Sequence, residues 1–171
     1  MTWNDFHQRQ RAIRAVLDHA ARHPAARLDL DAVPAAAAVF ADRDELLRAL
    51  HHKWNRVLTG RIDVGVEDAD ADPRGDRVEA VGEAWRRTAT DDPVLRRVLD
   101  GHADEPALAG LRRQELRMLA VSAGLAEPDE PADELDRVGQ AFLRLLRTAP
   151  EARTARRRGP LAQLRKLIPS F

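Results

Sequence analysis

Histidine carries the readiest chemistry in this sequence, because cysteine and tyrosine are absent and serine occurs only at Ser122 and Ser170. His19 and His23 are four apart, a spacing that puts two imidazoles on one helix face, as a pair of metal ligands needs. No third ligand follows from the spacing, so two solvent-facing histidines on a polar helix side is the simpler reading. His51 and His52 are adjacent and point in different directions. His102 follows Gly101 at a turn, where a buried, hydrogen-bonded or capping role is expected. There is no Gly-x-Ser-x-Gly elbow, phosphate loop or dinucleotide glycine pattern. The many carboxylates fall in caps and loops, where helix dipoles and solvation account for them. The expectation is therefore a chain without catalytic residues, metal or cofactor.

The elements that would position any site belong to one ordinary domain. The chain has 171 residues, 44% of them hydrophobic and 33% charged, which suits a globular fold with a real core. Acidic and basic residues balance at 28 each, so no global charge draws the chain to nucleic acid. The balance hides a polarity: residues 151–171 carry five more basic than acidic side chains, and residues 1–150 the reverse excess. No apolar run approaches the roughly 18 residues of a membrane span. "MTWNDFHQRQ" does not read as a secretory leader, and lack of cysteine suits a cytoplasmic setting. The prevalence of Arg and Ala reads as a GC-rich bacterial coding bias.

Helical periodicity dominates. Trp3, Phe6, Ile13, Val16, Leu17 and Ala20 outline a first helix over roughly 4–22, with Pro24 just beyond. "DRDE" at 42–45 predicts a capping box, with Asp42 as N-cap and Glu45 at the reciprocal position. The helix it opens should bury Leu46, Leu47, Leu50, Trp54, Val57 and Leu58, and fray near Gly60 to Asp63. "DVGVEDADADPRGD" reads as a solvated loop. A helix with Val78, Val81, Trp85 and Ala89 inward follows. "DDP" at 91–93 and "DEP" at 104–106 are cap-then-proline helix starts. The first opens a short helix with Leu95, Val98 and Leu99. The second opens one with Leu108, Leu111, Leu116 and Leu119 that stops at Gly124. A helix over 132–148 follows, and "RRRGP" precedes a short amphipathic piece with Leu161, Leu164, Leu167 and Ile168. With no strand, the expected fold is an all-α, single-domain bundle of seven to nine helices.

This order of elements, together with "VFADRDELL", resembles the TetR family of bacterial transcriptional regulators. In that family a helix-turn-helix joins the next helix through a pattern of the form aromatic-x-x-Phe-x-x-Lys-x-x-Leu. Phe40 and Arg43 fall on its Phe and basic positions, and Leu46 or Leu47 on its Leu. "DDPVLRRVLDGHADEPAL" is similar to the family's passage from its sixth to its seventh helix. The resemblance spans roughly residues 8–148. It implies a helical head over 1–45, a ligand-binding and dimerisation body over 46–150, and a basic tail over 151–171. It implies a cytoplasmic homodimeric regulator that binds DNA and senses a small apolar ligand. Arg27 and Arg43 would approach DNA, and Phe40 and Leu46 would join head to body. Trp54, Leu58, Trp85, Thr88, Gln114 and Met118 would line the ligand cavity, unless they are ordinary core. Leu135, Val138, Phe142 and Leu146 would form the dimer face, unless they are buried between helices of one chain.

The residues of the head depart from the family pattern. Only fifteen residues, 25–39, lie between Pro24 and Phe40. A recognition helix must present polar side chains to base edges, yet Ala35 to Ala38 and Val39 stand where it would end. Ala37 replaces the usual aromatic. A second expectation follows from these residues: a ligand-binding or protein-interaction module derived from the TetR fold that binds no DNA. The basic tail fits a solvated stretch, anionic lipid, nucleic-acid phosphate, or the acidic body of a partner or of the chain itself.

Overall fold

Capping residues set the helix starts. The computed structural model describes residues 3–148, and among the described residues there are seven α-helices and no strand. They are α1 (Trp3–Arg22), α2 (Pro34–Ala37), α3 (Arg43–Ala71), α4 (Arg77–Asp91), α5 (Pro93–Gly101), α6 (Pro106–Ser122) and α7 (Ala132–Thr148). Asp42 accepts from the Glu45 amide at 2.6 Å, Asp76 from the Val78 amide at 2.8 Å, and Asp92 from the Leu95 amide at 3.2 Å. Each satisfies an amide that the first helical turn leaves without a partner. The capping box is shifted by one residue: Glu45 accepts from the Ala41 amide at 2.9 Å instead of that of Asp42. Pro93 and Pro106 open α5 and α6 as expected, but the cap half of the signal holds only at α5: Glu105, before Pro106, caps no amide with its side chain and pairs with Arg43 instead. Gly124 ends α6 at φ +66°, with its amide bonded to the Val121 carbonyl and that of Leu125 to Ala120. That pattern is a Schellman stop, which needs the left-handed conformation glycine adopts without strain.

The long α3 is the spine of the bundle. It packs most extensively on α4, then on α6 and α5, while α7 packs on α6. Leu46, Leu47, Leu50, Trp54, Leu58 and Ile62 form its buried stripe, each worth about 1.5–3 kcal/mol when fully covered. Phe40 and Leu46 are both buried in the core, which joins the 23–42 segment to α3. The piece around Leu161 to Ile168 lies outside the described residues.

Several expectations change. The fray near Gly60 does not occur, and α3 runs on to Ala71, through most of the expected loop. Ile62 is buried and Val66 packs against the core, so contact with α4 outweighs the cost of Gly60, Gly65 and the aspartates. The true connection is 72–76, where Asp72 accepts from the Arg74 amide. Trp3, Phe6, Val57, Val78 and Leu145 follow apolar periodicity but remain exposed. No other described helix covers them.

Candidate functional site

Among the described residues one carboxylate lies inside the bundle. Glu115 projects from α6 into the space between α3 and α5, only 4% exposed. His51 Nε2 donates to its Oε2 at 3.1 Å, and the Trp54 indole N–H donates to its Oε1 at 3.0 Å. Because a carboxylate oxygen accepts, Nε2 of His51 carries the proton. Arg96, from α5, places Nη1 3.5 Å from Oε1 and lays its guanidinium over the Trp54 ring at 4.7 Å from the centroid. Its Nη2 donates to Asp100 at 2.7 Å, and Arg147 of α7 pairs with the same aspartate. The Trp85 ring meets that of Trp54 edge-on at 6.3 Å. Burial alone would push the Glu115 carboxyl up. The His51 hydrogen bond, the Arg96 charge and the Trp54 N–H outweigh it and hold the carboxyl below its ordinary 4.5. Arg112, at the edge of the cluster, is pushed down by burial. His51 Nδ1 and Arg96 Nε have no hydrogen-bond partner among the described residues.

The cluster fills the ground where a ligand cavity was expected. Trp54, Leu58, Trp85 and Thr88 are buried in close packing, Met118 is half-buried and Gln114 is exposed on α6. Thr88 donates to the Ala84 carbonyl at 2.7 Å and Arg61 donates to its hydroxyl at 3.2 Å. Met118 Sδ takes the Thr59 hydroxyl at 3.2 Å. Four clefts among the described residues lie elsewhere, and none is lined by any of these six side chains.

The expected DNA contacts are placed differently from a reading head. Segment 23–42 holds a single helical turn, Pro34–Ala37, so the second helix of a helix-turn-helix does not form there. Val33 has no side-chain oxygen to cap a longer helix, and Ala38 to Asp42 leave it at once. Arg43 is tied to Glu105 across the start of α6. Arg27 is exposed, beside a cleft of about 220 Å³ that also meets His19, His23, Arg97 and His102. The rings of His19 and His23 stack 4.5 Å apart. Among the described residues no group of three or more His, Cys, Asp or Glu could hold a metal. His102 is buried, with Nδ1 2.8 Å from the Val98 carbonyl, as its place at the turn predicts.

Of the expected dimer face, Leu135, Phe142 and Leu146 are buried within one chain and Val138 is half-buried. The reason is the close approach of α6 and α7. A Cβ on Gly139 would fall 2.2 Å from the Leu116 carbonyl oxygen, and one on Gly82 would meet Leu146 at 3.2 Å.

No relative identifies the chain. It matches no family model, no curated protein and no solved structure. No helix among the described residues is long and apolar enough to cross a membrane.

The Glu115 cluster escaped the sequence reading, although a signal exists. Glu115 lies four residues after Leu111 and four before Leu119, squarely on the apolar stripe of α6. His51 lies four after Leu47 and three before Trp54 on α3. A lone charge on such a stripe implies a buried partner, because an unpaired buried charge is too costly to keep.

Proposed function

We propose that this chain is a binding module on a regulator-like helical scaffold that works through protein contacts and not by reading DNA sequence. The observation that carries this reading is α2. Its one turn exposes Ala35 and Ala37, with Ala38 beside them, and methyl groups cannot report base identity through hydrogen bonds or neutralise phosphate. Arg43, the cation that follows α2 in the sequence, is committed to Glu105. Support for protein contact comes from α1. Trp3 is 80% exposed and Phe6 stands beside it, near clefts flanked by Arg11, Arg14 and Arg56. Those three arginines have no ion-pair partner among the described residues. Exposed aromatics of this kind serve as anchors in interfaces.

The Glu115 cluster is structural in this module, because the side chains of both His51 and Glu115 are buried. A homodimer remains part of this reading as what the TetR resemblance implies, formed through surfaces other than Leu135, Phe142 and Leu146. A salt-dependent fluorescence titration tests the central statement, using the DNA upstream of the chain's own gene and a scrambled duplex. Equal, weak, salt-sensitive binding to both is expected. A clear preference for the upstream DNA that survives moderate salt overturns it and restores the regulator reading. The α1 surface is tested by comparing proteins that co-purify with the wild-type chain and with Trp3→Ala/Phe6→Ala. Equal recovery with both overturns that surface.

A further inference from the structure

Between α3 and α4 lies a groove with an apolar floor and a charged rim. Val57 and Val64 are seven residues apart, on one face of α3, and both are exposed, Val64 to 60%. Gly60, Gly65, Ala80 and Ala84 give the adjoining groove a shallow floor, with a volume of about 530 Å³. Its rim is acidic in effect. Arg61 is paired with Asp91 and Arg87 with Glu83, whereas Asp68 on the rim, and its exposed neighbour Glu67 just outside the lining, have no ion pair among the described residues. The other clefts are more basic: those along α1 border Arg11, Arg14 and Arg56, which have no ion pair among the described residues, against Asp18 as the one lining acid likewise without an ion pair there, and the one near His102 has Arg27 and Arg97 with no acid in its lining.

We propose that the chain's own C-terminal segment, residues 160–168, docks in the α3–α4 groove. Leu161, Leu164, Leu167 and Ile168 recur at helical spacing, and Arg165 and Lys166 lie among them, preceded by Arg153 and Arg156 to Arg158. A segment with one apolar stripe and excess positive charge matches an apolar groove with unpaired acids on its rim. The geometry permits the route. Leu146, near the end of α7, lies against Gly82 on α4, and the groove is on the other side of that helix, whose diameter is about 10–12 Å. The eleven residues 149–159 reach at most about 36–40 Å when extended. Tethering makes docking within one chain far more favourable than between free molecules. The docked segment covers Val64 and gives Glu67 and Asp68 their missing counter-charges.

The test uses the full chain, whose lack of cysteine allows a single spin label at Gln163→Cys. Amides of residues 60–68 and 80–87 are expected to be broadened beyond detection, and to return to full intensity in the same chain carrying Glu67→Arg and Asp68→Arg. Both substitutions are at exposed positions, and circular dichroism checks that the bundle persists. Broadening centred on the α1 clefts, or no localised broadening, overturns the proposal. So does broadening that survives the charge reversals. Broadening that appears only when spin-labelled chains are mixed with isotope-labelled, unlabelled ones also overturns it, since the occupant is then a second copy.

Discussion

Trp54 donates its indole N–H to Glu115 at 3.0 Å across the α3–α6 contact, and this bond ties the one buried carboxylate among the described residues to a fully buried tryptophan. The carboxylate is held in turn by His51 and Arg96. Removing one member of such a buried set strands the others. Glu115→Leu is therefore expected to cost about 3–5 kcal/mol in urea unfolding. Replacing His51 and Glu115 together by leucine should recover part of that loss, because fewer buried polar groups then lack partners. A Glu115→Leu chain as stable as wild type would show that the cluster is relaxed by water or by local rearrangement.

The same group gives the chain an acid limb. In the folded state the Glu115 carboxyl lies below its ordinary 4.5, so folding favours the ionised form. The stabilisation is fully present above the unfolded value and is lost as pH falls through the lower folded value. Glu115→Gln is less stable than wild type at neutral pH, and the difference narrows as the solution is acidified below 4.5. Unfolding free energies of the two chains, measured from neutral to acid pH, check this. Parallel curves would remove Glu115 from the acid response.

How much of this was readable beforehand depended on the kind of signal. Asp42, Asp92, Pro106 and Gly124 act through local backbone chemistry, and they place helix ends where the sequence puts them. The length of α3 did not follow local rules, since Gly60, Gly65 and five acids between 63 and 72 argue for a loop. Packing of Ile62 and Val66 against the core decides otherwise, a tertiary effect that propensity does not contain. Periodicity named the apolar residues of α7 but left two partners open, another chain or neighbouring helices. Gly139 settles Leu135, Phe142 and Leu146 as internal by letting α6 approach. The partners of Glu115 lie 61 and 64 residues away at Trp54 and His51, so no local pattern could pair them.

Phe40 and Arg43 separate a structural joint from an incidental charge. Phe40 is buried and carries the Arg9 guanidinium over its ring at 4.7 Å. Phe40→Ala is expected to cost about 3–5 kcal/mol, the range for emptying a buried aromatic site. Arg43 pairs with Glu105 at a part-exposed position, so Arg43→Ala should cost no more than about 1 kcal/mol. It should also leave the weak, nonspecific DNA binding expected of the chain nearly unchanged. A large loss of DNA affinity in Arg43→Ala, with stability intact, would assign that side chain to phosphate contact.

Two glycines in helices give opposite outcomes on the same substitution. At Gly139 a Cβ would sit 2.2 Å from the Leu116 carbonyl oxygen and 2.6 Å from its carbon. Both atoms are backbone, so relief requires α6 and α7 to move apart, and overpacking of this kind costs about 1–3 kcal/mol. At Gly60 nothing lies within 4 Å of the new methyl group. There the helix gains alanine's smaller loss of backbone entropy, about 0.5–1 kcal/mol. Gly139→Ala should therefore lower the melting temperature and Gly60→Ala raise it. Because Gly60 lies inside the expected α3 fray, its result also probes the extended helix directly: a chain that frays there would gain almost nothing from alanine.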